Sequence, residues 1–236
     1  MPEQFWKAAH RPILIAHRGG DAAGENRENT IAAFKAAWKL GYIYGETDTV
    51  LTADGQMIAA HNRWLQKMTY KQIKAAFAAD ARPPLLADLL LALPKMHFFI
   101  DAKSNEAAAP LVQLLKRLKV MERVSAGTFN YERLQGMIKL MGGRRCATHF
   151  IVGRRLPLMN QRLNMLKAGN LENVDFIHLH RSYVKAPLVE LLQAQDMKVL
   201  AWTPNSRSAI KRAVKNGADG IISDHLKLLK TVVDEA

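Results

Sequence analysis

The chain has 236 residues, 49% of them hydrophobic and 23% charged, and a formal charge of +13. This composition excludes a disordered or fibrous chain, and the single cysteine, Cys146, excludes an intrachain disulfide framework. Met1 to Arg11 lacks the apolar stretch of a signal peptide and no window approaches the roughly 20 apolar residues of a membrane span, so the expected location is the cytoplasm.

Taken in chain order, short apolar or β-branched runs alternate with helical periodicity, the pattern of a parallel sheet with crossover helices. A strand over Ile13–His17 is followed by a helix over Asn29–Leu40. The second strand, Ile43–Val50, runs into a turn at Thr52–Gly55, an extended run at Met57–Ala60, a helical stretch at Thr69–Ala79 and a helix over Leu85–Leu93. Next come Phe98–Ala102 with Ala107–Lys119, Val124–Thr128 with Tyr131–Leu140, and Cys146–Ile151 with Leu158–Ala168. Asp175–Leu179 with Ala186–Gln195, Lys198–Trp202 with Ser206–Asn216, and Gly220–Ile222 with Leu226–Asp234 complete eight pairs. The expectation is an α/β protein, a (β/α)8 TIM barrel, forming one domain over residues 1–236 without a sizeable cap insertion. Cys146 reads as a small core residue.

The positive field suits an anionic partner such as a phosphate ester or an acidic membrane surface. Its bases fall in short groups such as Lys211–Arg212–Lys215 without interleaved aromatics, which reads as solvated helix faces, and nucleic acid is not expected.

Barrels of this kind carry their reactive groups at the C-terminal ends of the strands. Glu46 and Asp48, two residues apart on a strand, share a face; if that face is the interior they need a cation, and if the alternation is reversed they simply face outward. Asp101 ends an apolar run, where a carboxylate is costly unless it is paired, with Lys103 as one partner, or coordinated. Three carboxylates suit Mg2+ or Ca2+ better than Zn2+. His17 and His61 have the ordinary pKa for an acid/base pair acting on a phosphodiester, although a lone histidine at a strand end is more commonly structural. His17 is read as taking the nucleophile's proton and His61 as protonating the leaving group, with the exchange of roles left open. Arg18 and Lys103 would neutralise phosphoryl oxygens, and Gly19–Gly20 would let the backbone approach a phosphate.

The ordered set His17-Arg18-Gly19-Gly20, Glu28-Asn29-Thr30, Gly45-Glu46-Thr47-Asp48, Leu51-Thr52-Ala53-Asp54-Gly55 and His61-Asn62 resembles the glycerophosphodiester phosphodiesterase family. The later Trp202-Thr203-Pro204-Asn205 and Gly217-Ala218-Asp219-Gly220-Ile221-Ile222-Ser223-Asp224 are similar to its closing motifs, so the likeness covers almost the whole chain. The resemblance implies a TIM barrel that uses a divalent cation and releases an alcohol and sn-glycerol 3-phosphate. It implies catalysis by His17 and His61, metal ligation by Glu46, Asp48 and Asp101, phosphate contacts from Arg18 and Lys103, and a substrate pocket lined by Trp202 and His178. It further implies attack by the substrate's own glycerol hydroxyl, giving a cyclic phosphate that water opens. Asn62 stands where the family commonly has aspartate, Asp101 where glutamate is usual, and residues 62–84 are too few for the family's small capping insertion. The last two features are closer to the related sphingomyelinase D and lysophospholipase D enzymes. The substrate is therefore expected to be a glycerophosphodiester or a lysophospholipid, with peripheral contact to an anionic membrane. A catalytically silent polyanion-binding barrel is the rival reading, and it gains nothing from acids in its binding face.

Overall fold

The computed structural model describes residues 5–6, 12–24, 27–142, 146–153, 164–166, 169 and 171–235. Strand β1, Ile13–His17, is too short and apolar to stand alone and is hydrogen-bonded on both sides. It runs parallel to β2, Tyr44–Leu51, on one side and to β9, Gly220–Ser223, on the other, and this double pairing closes the sheet. Between them lie β8 (Lys198–Trp202), β7 (Phe176–His180), β6 (Ala147–Val152), β5 (Val124–Thr128) and β4 (His97–Ala102), giving an eight-stranded parallel barrel. The ninth strand, β3 (Met57–Ala59), hairpins antiparallel onto β2 as expected from the Thr52–Gly55 turn, where Gln56 N–H donates to Thr52 Oγ1 at 2.8 Å.

The crossover helices are α1 (Ile31–Lys39), α3 (Leu86–Ala92), α4 (Asn105–Leu118), α5 (Tyr131–Met141), α6 (Ala186–Gln193), α7 (Arg207–Lys215) and α8 (Leu226–Asp234). The helices at Tyr131, Ala186 and Leu226 start where the periodicity puts them, whereas α1 and α4 differ because side-chain caps set their starts. Thr30 accepts from Ala33 N–H, so α1 begins at Ile31; Ser104 accepts from Ala107 N–H, so α4 begins two residues earlier than expected. The expected helix over Leu158–Ala168 lies outside the described residues apart from 164–166, which are helical. Cys146 is buried in the core just before β6.

After β3 the chain makes a 3-10 turn, Arg63–Lys67, and then α2, Tyr70–Ala76, closed at its start by a capping box between Thr69 and Gln72. This segment has a small core of its own, with Leu65 and Ile73 packed on Val50 and Ile58.

The barrel interior is layered. At the N-terminal mouth Phe5 meets Phe99, Phe176 and Tyr44 edge-on with ring centroids 5.0, 5.5 and 5.9 Å away, and Tyr44 Oη donates to its carbonyl at 2.9 Å. Above this plug His149 and His178 stack at 4.3 Å with planes only 7° apart. Gly127 on β5 makes room for them: a Cβ there would lie 2.3 Å from the His149 ring and 2.1 Å from its carbonyl oxygen. The polar residues of β1, β2 and β4 occupy the layer above.

Candidate active site

Strand register assembles the site. His17 is level with Glu46, and Asp48 is level with Asp101, across adjacent parallel pairs. Glu46, Asp48 and Asp101 line the barrel cavity whereas the equally buried Thr47 and Thr49 do not, so the E-x-D alternation points inward, and Lys103 follows two residues after Asp101. Every expected site residue lines one cavity of about 670 Å³: His17, Arg18, Glu46, Asp48, His61, Asp101, Lys103, His178 and Trp202.

Charges pair tightly here. Lys103 Nζ bridges Asp48 Oδ1 at 2.5 Å and Asp101 Oδ2 at 2.7 Å; Arg18 reaches Glu28 and Asp48, both at 2.9 Å. Burial opposes ionisation of Lys103, but Asp101 and Asp48 outweigh it and raise its pKa. Burial and the neighbouring Asp48 push Glu46 up to about 7, whereas the cations Lys103 and Arg18 hold Asp48 below the usual carboxylate range against its burial.

The two histidines differ. His17 Nδ1 lies 2.5 Å from Asp224 Oδ1 while its Nε2 lies 3.7 Å from Glu46 Oε2. Asp224 is itself held by the Asn205 side-chain amide. Burial would lower the His17 pKa, but Asp224 and Glu46 reverse that and raise it. The pKa of His61, exposed on the loop after β3, is lowered by partial desolvation and by Arg18 and Lys103, against the pull of Asp48.

His178 is buried, is held neutral by burial and by its stacked neighbour, and has an Nε2 without a hydrogen-bond partner among the described residues. Trp202 donates its indole N–H to the His178 carbonyl at 3.1 Å and packs edge-on against Phe129. A second cavity of about 430 Å³ shares His17 and His61 with the first and is walled by Asn29, Leu65, Phe77, Pro83 and Asp224. The two cavities thus meet at the imidazoles. Gly19 and Gly20 have a packing role: both have positive φ, and Cβ atoms on them would lie 2.5 Å from Ala33 and 2.4 Å from Leu226.

A sequence profile of the Glycerophosphoryl diester phosphodiesterase family matches residues 17–92 and 82–228. The chain belongs to that family. It is 27% identical to the glycerophosphodiester phosphodiesterase of Caldanaerobacter subterraneus subsp. tengcongensis, over 94% of this chain and 98% of that relative. It is 25% identical to lysophospholipase D GDPD1 of Homo sapiens, over 89% of this chain and 82% of that relative. A solved phosphodiesterase from Oleispira antarctica, in complex with the product sn-glycerol-3-phosphate, shares the fold with a TM-score of 0.77 over 94% of this chain and 97% of that one, at 23% identity.

For a member of the glycerophosphoryl diester phosphodiesterase family, the question of a divalent cation turns on its three carboxylates. Among the described residues Glu46 Oε2, Asp48 Oδ2 and Asp101 Oδ1 are buried oxygens without hydrogen-bond partners, Asp48 Oδ2 lying near Arg18 Nε but out of alignment with it. Orphaned anionic oxygens are the donor set a hard cation takes. Among the described residues, however, no three ligating side chains close around one point, because Lys103 stands between Asp48 and Asp101. The donor chemistry fits a divalent cation, and Lys103 competes for the same oxygens. The sequence reading gave no role to Asp224 or Asn205, which sit in the quoted closing motifs, nor to Phe129 and Arg133, which also line the larger cavity.

Proposed function

We propose that this phosphodiesterase cleaves glycerophosphodiesters to sn-glycerol 3-phosphate and an alcohol, with His17 and His61 moving the protons and Glu46, Asp48 and Asp101 holding a divalent cation. The observation that carries this reading is the meeting of two cavities at the two imidazoles, since a phosphodiester has one substituent to place on each side of its phosphorus. Mg2+ or Ca2+, when bound, supplies positive charge to the phosphoryl oxygens. Arg18 and Lys103 add fixed cations beside the same oxygens.

The opposed pKa directions favour a division of labour opposite to the one read from the sequence. His61, kept neutral, takes the proton of the attacking glycerol hydroxyl as its oxygen bonds to phosphorus. The P–O bond to the alcohol breaks, and His17, kept protonated by Asp224, gives its proton to the departing oxygen. Water then opens the cyclic phosphate with the two roles reversed, which restores both histidines. His178 and Trp202 line the pocket that receives the glycerol phosphate half.

Incubating the enzyme with glycerophosphocholine and resolving the products by phosphorus NMR tests this. Choline and sn-glycerol 3-phosphate are expected; phosphocholine and glycerol would mean that the other P–O bond breaks and would refute it.

Lysophospholipids form a second reading. The second cavity has apolar walls at Leu65, Phe77 and Pro83, residues 62–84 add only a short turn and α2 over the mouth, and one relative is named a lysophospholipase D. Turnover of lysophosphatidylcholine with kcat/KM comparable to that for glycerophosphocholine favours this reading, and its absence restricts the enzyme to small diesters.

A further inference from the structure

The segment that follows His61 carries exposed residues, Trp64, Lys67, Lys71 and Lys74, that line neither cavity and that the reaction does not use. Trp64 is 52% exposed, and its indole stacks on Phe77 with centroids 6.3 Å apart and planes 18° apart. An exposed tryptophan standing on a second aromatic ring is an amphipathic group that water stabilises poorly. Lys71 and Lys74 are exposed at three-residue spacing on α2, and the helix-capping Phe77 follows three residues on, partly buried against the small core that holds Ile73. Lys67 on the preceding turn is also exposed. Residues 61–80 contain four bases, Arg63, Lys67, Lys71 and Lys74, and one acid, Asp80, which Arg27 neutralises at 2.6 Å.

The position of this surface matters as much as its chemistry. Arg63 lines the larger cavity and Phe77 the smaller, so the aromatic and basic face lies at the rim of the catalytic mouth. Aromatic side chains combined with clustered lysines match the boundary of an anionic bilayer, where the ring enters the headgroup layer and the ammonium groups meet lipid phosphates. A nucleic acid would also attract the charge, but a single exposed indole backed by an edge of alanines, Ala75, Ala76, Ala78 and Ala79, gives no series of stacking platforms.

We infer that the face formed by Trp64, Phe77, Lys67, Lys71 and Lys74 docks the enzyme on an anionic lipid bilayer, with the catalytic mouth turned toward the membrane. This inference concerns binding and stands apart from the reaction proposed above.

Vesicle sedimentation with the full chain tests it, using phosphatidylglycerol–phosphatidylcholine vesicles against pure phosphatidylcholine. Binding is expected only to the anionic vesicles, weakening as salt rises. Lys71→Glu with Lys74→Glu should lower partitioning by about fivefold or more for each charge removed, and Trp64→Ala should lower it severalfold. The matched reversal Lys211→Glu with Arg212→Glu on α7 should leave it largely intact. Turnover of soluble glycerophosphocholine should be unchanged in all these variants, which also reports that they fold. No binding to anionic vesicles would overturn the inference. So would equal losses from the α2 and α7 reversals, which would mean a diffuse charge effect, or tighter binding to duplex DNA that depends on the same residues.

Discussion

His17 is level with Glu46 across the barrel wall and hydrogen-bonded to Asp224 from the far end of the sequence, whereas His61 faces Arg18 and Lys103. These surroundings hold the first imidazole's pKa above its usual value and the second's below. With His61 as base and His17 as acid, activity should rise as pH climbs through the His61 pKa and fall as pH climbs through the His17 pKa. The profile should be a bell straddling the ordinary histidine value of about 6.5. Asp224→Asn removes the charge that supports the His17 proton, so the alkaline limb should move to lower pH while the acid limb stays; an unmoved alkaline limb would detach Asp224 from the mechanism. His17→Ala and His61→Ala should each lower kcat by roughly 10²–10⁴-fold on glycerophosphocholine. The nitrophenyl ester of glycerol 3-phosphate, whose leaving group needs no proton, separates the two: His17→Ala should recover most of its first-turnover nitrophenolate release there and His61→Ala should not. The reverse pattern would restore the assignment read from the sequence. Exhaustive EDTA treatment should abolish turnover and added Mg2+ or Ca2+ should restore it, because Glu46 Oε2 and Asp101 Oδ1 accept no hydrogen bond among the described residues. Full activity after chelation would remove the metal.

The elements that place these residues are largely legible in the sequence because most strands are short apolar or β-branched runs set between helical patterns, with polar side chains at or near their ends. The two-residue spacing of Glu46 and Asp48 and the acid at the end of β4 were enough to propose an inward carboxylate set, since strand alternation is a local rule. What local rules do not carry is which distant groups meet. Asp224 joins His17 across 207 positions, and Lys103 could have been read as Asp101's partner or as a phosphate cation, while its bridge to Asp48 depends on the register between β2 and β4. The starts of α1 and α4 escape the periodicity for a similar reason: Thr30 and Ser104 act through hydrogen bonds that periodicity does not register. The Gly19–Gly20 pair suits phosphate approach by its sequence, and contacts with α1 and α8 give it a packing role that the sequence does not register. Gly127 gave no sequence signal, yet it is a sharp test of the layered interior. Gly127→Ala drives a methyl into His149 and should destabilise the fold by about 1–3 kcal/mol, measurable by urea unfolding. A neutral result would mean that β5 and β6 can separate without cost.

At the scale of the whole molecule, the stacked histidines make the barrel sensitive to acid. Burial pushes His149 down to about 3 and His178 well below its usual value, so the folded protein keeps both neutral. Their unfolded pKa is near 6.5, so below that pH the unfolded chain takes up protons that the folded one refuses. Stability from this source is complete above about 6.5 and is lost as pH falls toward 3, by roughly 1.4 kcal/mol per pH unit for each group fully in that window. His149→Gln should flatten the dependence of Tm on pH between 6 and 4; an unchanged slope would place the acid sensitivity elsewhere. The His17–Asp224 link has a kinetic consequence at the same scale. A chain emerging from the ribosome displays β1 early and obtains the acid that supports His17 only after β9 has been made and has annealed to β1. Such a long-range join forms late, because the entropy of bringing remote segments together must be met before the contact repays it. Catalytic power is therefore a clock for the final seam: in refolding, helical circular dichroism should return first and turnover last, and a chain truncated before β9 should gain much of its helix and none of its activity.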